Sequence, residues 1–171
     1  MDLIPYGVLY FSLRSEQKIN CIILHDTGGK TAKGTLTWFN TPDLPPEKQV
    51  SSHYLIDRDG KIYQCVEDEN KAWHAGSSSL WGEDNVNDWS LGIEIVDDND
   101  ADAYPDKQLE ALFELCESLI IKYEIPLNRI VGHQHVCVPK GRKADPGRDF
   151  QWYPFLVTLG ARISTLEINE T

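Results

Sequence analysis

The run NCIIL at residues 20–24 constrains this chain more than any other feature. It is short, rich in isoleucine and followed at once by HDTGG, the pattern of a central buried strand ending in a turn. Ser52–Asp57 and Lys61–Val66 are two further strand-like runs, and Arg58-Asp59-Gly60 between them is a tight-turn sequence, which predicts a hairpin. WSLGIEIV at Trp89–Val96 predicts another strand, with Leu91, Ile93 and Ile95 on one face and Gly92 and Glu94 on the other. A short strand follows at Arg129–Val131. From Pro105 to about Tyr123, Leu109, Leu112, Phe113, Cys116, Leu119, Ile120 and Tyr123 fall at steps of three and four and predict a helix. Residues 31–39 carry a weaker helix signal, diluted by threonine and glycine, and a last helix is expected from about Trp152 to Ser164. The segments 41–48, 67–88 and 132–149 read as loops. Strands interspersed with helices predict an α/β chain whose mixed central sheet is flanked by helices.

A length of 171 residues suits one domain over 1–171 with a core of its own. The hydrophobic share of 41% and charged share of 25% are ordinary for a globular protein. A net charge of −11 argues against nucleic-acid binding, which needs basic patches. It also removes any general attraction to anionic surfaces, so an anionic ligand would bind through shape and local contacts. No apolar stretch is long enough to span a membrane. MDLIPYGVLYFSLRS lacks the basic start and clean apolar core of a signal peptide, so the chain is expected to be cytoplasmic as synthesised. Lysis or a dedicated secretion machine would then be its routes out of the cell. Cys21, Cys65, Cys116 and Cys137 form no CxxC pair and are expected to be free thiols in a reducing compartment.

A catalytic zinc takes three protein ligands and keeps one position open. His25 ends an apolar strand, where open α/β sheets carry their sites, yet taken alone it reads first as a turn histidine. GHQH places His133 and His135 two apart, on one side if the segment is extended, or simply on the surface. In GRKADPGRDF, Pro146 biases Asp145 toward an extended backbone, so Lys143 and Asp145 share a side as a functional pair or as a surface ion pair. Glu94 beside Gly92 fits a cleft wall or an exposed strand glutamate. His53 and Tyr54 face opposite ways, so one lines a cleft if the other does not. WHAG offers Trp73 and His74 for stacking and hydrogen bonding, or a local turn with a packed ring.

Taken in order, CIILHDT, SSHYLIDRDGKIYQ, AWHAG, NDWSLGIEI, IVGHQHV and GRKADPGRDFQW resemble the zinc amidases that include cytosolic anhydro-muropeptide amidases, T7-type lysozyme amidases and peptidoglycan-recognition proteins. The resemblance runs from about residue 20 to 152. It implies a mixed sheet with a zinc in a surface groove, and cleavage between N-acetylmuramic acid and L-alanine in peptidoglycan or muropeptides. It implies His25, His133 and Asp145 as the Zn²⁺ ligands, with His135 a weaker competitor. Glu94 is then the general acid–base, and Lys143 and Tyr54 stabilise the oxyanion. Trp73, His74 and Asn87 are the implied substrate contacts. The interval from His133 to Asp145, carrying VCVPK, is slightly longer than in compact members. Two other readings remain. One is a peptidoglycan-binding module without activity. The other is a zinc peptidase of the stem peptide, although no HExxH helix is present.

Overall fold

The structure, a computed structural model, describes residues 1–14, 18–97 and 103–169. Two short strands, β1 (Leu3–Pro5) and β2 (Phe11–Leu13), precede β3 (Cys21–Asp26). Then follow α1 (Ala32–Phe39), β4 (Tyr54–Ile56), β5 (Ile62–Gln64), β6 (Asn70–Ala72), β7 (Ser79–Leu80), β8 (Glu83–Asp84) and β9 (Ser90–Ile95). The chain closes with α2 (Asp106–Tyr123), β10 (Ile130–Gly132), α3 (His133–Val136) and α4 (Trp152–Asn169).

Six strands form one sheet in the order β1-β5-β4-β9-β3-β10. All of its pairings are parallel except the β4–β5 hairpin. The expected mixed sheet is therefore present, with the isoleucine-rich run β3 inside it. Ile22, Ile23 and Leu24 are completely buried, as a strand covered on both faces requires. On one face Ile22, Leu24, Ile93 and Ile95 pack with Leu112, Cys116 and Leu119 of α2 and Phe155 and Leu159 of α4. On the other face Leu55 packs with Leu36 and Phe39 of α1, and Ile23 with Ala75 and Val136. Thr31 caps α1 by accepting the Gly34 N–H at 3.2 Å, which helps offset the weak propensity of its glycine and threonines.

Several expected boundaries move. β3 continues through His25 and Asp26 because both pair with β9. Residues 67–88 are not a plain loop: β6 pairs with β2, and β7 with β8. Strands of two or three mostly polar residues leave no alternation to read. The GHQH segment is helical, not extended, so the two rings do not share a side by strand alternation. Helix α4 runs on past Ser164. All four cysteines are buried free thiols. Among the described residues no helix is long and apolar enough to cross a membrane.

Gly60 closes the β4–β5 turn with φ +88°, and a Cβ there would lie 2.8 Å from the Lys107 carbonyl at the start of α2. Gly60→Ala is expected to cost more than about 1 kcal/mol, since alanine is strained at positive φ. Thermal unfolding followed by circular dichroism would then show a midpoint lowered by about 2–4 °C or more.

Candidate metal centre and active site

Parallel pairing aligns residues across neighbouring strands on the same face. His25 of β3 is in register with Glu94 of β9, and Leu24 with Gly132 of β10. The residue after Gly132 is His133, so β3 and β10 deliver two imidazoles to one end of the sheet. His25 Nδ1 and His133 Nδ1 are 3.0 Å apart, and each lies 3.1 Å from Asp145 Oδ2. Asp145 reaches them from a loop held at two points. The Gln134 N–H donates to the Asp145 carbonyl at 3.0 Å, and the Gly147 N–H donates to Asp26 Oδ2 at 2.9 Å.

These three residues can hold a metal ion. His133 Nε2 sits 3.1 Å from the Ala75 carbonyl, so in the neutral ring Nε2 carries the proton and Nδ1 a lone pair. A lone pair and a carboxylate oxygen this close repel unless a cation lies between them. Two nitrogens and one oxygen also match the mixed donor sets of catalytic zinc sites. Ligands about 2.0–2.2 Å from one ion, at a tetrahedral angle, stand about 3.3–3.6 Å apart, so the observed triangle is contracted by only a few tenths of an ångström.

Burial divides the two carboxyls of the site. It raises the Glu94 carboxyl well above the ordinary range, and the nearby Asp145 and Asp26 charges add to the rise against Lys143. Glu94 Oε2 is inaccessible and has no hydrogen-bond partner among the described residues. Burial also acts against the charge of Asp145, but two imidazole Nδ1 atoms converge on its Oδ2, a donor set that a cation completes. Burial keeps His25 neutral, with its pKa lowered to about 4. The surrounding cavity of about 280 Å³ is lined by His25, His74, Glu94, His133, Lys143 and Asp145 among others. Thr27, Val50 and Glu94 also border a second lobe of about 320 Å³, which reaches the exposed indole of Trp38 on α1.

Residues 15–148 match the family described as N-acetylmuramoyl-L-alanine amidase. The chain belongs to that amidase family. The 1,6-anhydro-N-acetylmuramyl-L-alanine amidase AmpD of Salmonella typhimurium strain SL1344 is 34% identical over 161 residues, covering 85% of this chain and 84% of that protein. AmpD of Citrobacter freundii is 43% identical over 107 residues, 63% of this chain, and this match spans 56% of that protein's length. The crystal structure of a selenomethionine AmpD derivative has the same fold, with TM-score 0.77 at 31% identity over 92% of this chain and 93% of that one.

Within this amidase fold His25, His133, Asp145, Glu94, Lys143 and His74 meet in one cavity. Tyr54 does not. It is in register with Ile93, so it faces the α2 side of the sheet, and its hydroxyl donates to Asp68 Oδ1 at 2.6 Å. Its phenol is buried and cannot reach the cavity, which corrects the oxyanion role expected for it. His53 takes the other side, beneath His74, with ring centroids 5.6 Å apart. Trp73 and Asn87 line a separate depression of about 470 Å³. The Trp73 indole N–H donates to Ser12 Oγ, and Asn87 Oδ1 accepts the Ala75 N–H. His135 turns back to its own helix: its Nδ1 accepts the Gly132 N–H at 2.9 Å and its ring packs on Trp152. Sequence reasoning missed Asp26, which holds the Asp145 loop, and Ser51 in the cavity wall. The position of Asp26 directly after His25, ahead of two glycines, was the available signal.

Alanine at His25, His133 or Asp145 is expected to abolish metal retention, whereas His135→Ala retains it and loses about 1 kcal/mol of stability with the lost helix cap. Metal content after gel filtration distinguishes the four variants. A metal-free His135→Ala would reverse the ligand assignment.

Proposed function

We propose that this chain, read as one amidase domain over 1–171, is a zinc-dependent hydrolase. It cleaves the amide between N-acetylmuramic acid, or its 1,6-anhydro form, and L-alanine in peptidoglycan or its soluble fragments. The observation that carries the reading is the His25–His133–Asp145 triangle with the unpartnered carboxyl of Glu94 on the same sheet face. The AmpD relatives are named for this bond, which supports the same substrate class.

His25, His133 and Asp145 would hold a zinc ion, which would supply Lewis acidity toward the scissile carbonyl and acidify a bound water. Glu94 is the base that takes the proton from the attacking water and returns it to the departing amine of L-alanine. Burial and the neighbouring Asp145 and Asp26 raise its carboxyl above the ordinary range, which favours its holding the proton between the two transfers. Lys143 places an ammonium on the cavity rim, where it offsets the oxyanion that forms on the lactyl carbonyl. Tyr54 has no part in this scheme. The two-lobed groove gives a glycan-peptide an extended seat and accords with an acidic protein that binds by local contacts.

A non-catalytic binding module does not call for a half-buried glutamate with an unpartnered Oε2 beside a three-residue donor set. A stem-peptide peptidase predicts a different broken bond. Mass spectrometry of digests of purified sacculi and of soluble anhydro-muropeptides, run side by side, identifies both the bond and the preferred substrate. Release of free L-alanine-terminated peptides is expected, and cleavage within the stem would overturn the proposal.

Glu94→Gln is expected to keep zinc and bind substrate but lose nearly all turnover, beyond about 10²-fold. Metal analysis and a cleavage assay on the same preparation check this. Near-normal turnover, or loss of the metal, would each reject the role given to Glu94.

A further inference from the structure

His74 lies in the cavity wall but is only 7% exposed, and both of its ring nitrogens face protein atoms. Ser90 Oγ donates its single proton to the Val86 carbonyl at 2.6 Å. The same oxygen is 3.3 Å from His74 Nε2, so it meets that nitrogen with a lone pair and His74 Nε2 carries the proton. His74 Nδ1 is then an acceptor. It lies 3.1 Å from His25 Nε2, which must therefore be the N–H of its ring. That leaves the lone pair of His25 on Nδ1, the atom that faces His133 and Asp145.

We propose that Ser90 and His74 are positioning residues that order the protons so that His25 presents its Nδ1 lone pair to the metal. The proposal rests on the zinc reading above for its purpose, but the proton order is a property of the protein alone. The packing around His74 fits such a role. A Cβ on Gly92 would strike the His74 ring, so only glycine leaves room for it on β9. The His53 ring closes the other side, and its Nδ1 accepts the Gly92 N–H at 2.9 Å. The imidazole is thus clamped edge-on to His25, with ring centroids 5.2 Å apart and planes 83° to each other. A substrate contact would instead leave one nitrogen of His74 open to the groove.

The order of protons makes His74 act through His25 and not on substrate. Replacing an outer partner of a metal-bound histidine commonly weakens metal binding by about 10–100-fold. Full-length protein with ¹⁵N-labelled histidine, freed of metal, gives the tautomer of His25 directly from two-bond ¹H–¹⁵N correlations. The expected wild-type form is Nε2–H, and His74→Leu is expected to lose that preference. His74→Asn places an amide oxygen where Nδ1 was and is expected to restore it. Competition with a chromogenic chelator should show zinc held about 10–100-fold more weakly by His74→Leu, close to wild type by His74→Asn, and between the two by Ser90→Ala. A wild-type His25 protonated on Nδ1 would overturn the proposal. So would a His74→Leu variant with unchanged zinc affinity and a raised KM, the mark of a substrate contact. A wild-type chain that shows the Nε2–H form but binds no zinc would support the proton order and remove the zinc reading instead.

Discussion

Everything at the site hangs on the parallel pairing of β3 with β9 on one side and β10 on the other. Backbone hydrogen bonds fix that register, and the register sets which side chains become neighbours. His25 beside Glu94 puts a proposed metal ligand next to the proposed proton carrier. Leu24 beside Gly132 puts His133 one step beyond, where the chain turns into α3. A slip of one residue in β3 would send His25 to the α2 face and destroy the triangle. The fully buried isoleucines and leucines of β3 oppose such a slip, because each has a fitted place in one of the two cores.

Within that frame the same low-dielectric cavity treats its two carboxyls in opposite ways. Asp145 turns one oxygen toward the Nδ1 lone pairs of two neutral imidazoles, a donor set that a cation completes. Glu94 has no such company at Oε2 and holds its proton more firmly. Environment, not residue type, therefore separates the ligand from the acid–base group. The buried histidines extend this logic. Their protons are allotted by fixed neighbours, among them the Ala75 carbonyl at His133.

The central strands were legible because each is an unbroken apolar run or a clean alternation, and the α2 stripe because its period is helical. The side of Glu94 followed from the alternation of Leu91, Ile93 and Ile95. Tyr54 misled because the side a strand residue faces depends on register with a distant strand, and resemblance in sequence does not state register. The substrate roles expected for Trp73 and Asn87 came with the family resemblance, which does not show that their side chains are hydrogen-bonded to Ser12 and Ala75. Ser90 was hidden for a similar reason: its partners are a 3₁₀ turn carbonyl and a histidine sixteen positions earlier in the chain. The short strands β1, β2, β6, β7 and β8 were invisible because pairing, not composition, creates them.

Gly132 has one more consequence. A Cβ there would come within 2.8 Å of Pro146 Cδ and 2.9 Å of the Trp152 ring, so the start of the 132–149 segment and its end are pressed together at a single residue. Between those closed jaws the chain is held by Val136 in the core, by a bridge between Cys137 and Ser78, and where Arg142 donates to the Ala75 and Ser77 carbonyls and the Val138 N–H to Ser77. The spacing of His133 and Asp145 in space is thereby uncoupled from their spacing along the chain. Residues added around Val138–Gly141 can therefore lengthen the exposed part of this segment while the donor triangle stays as it is.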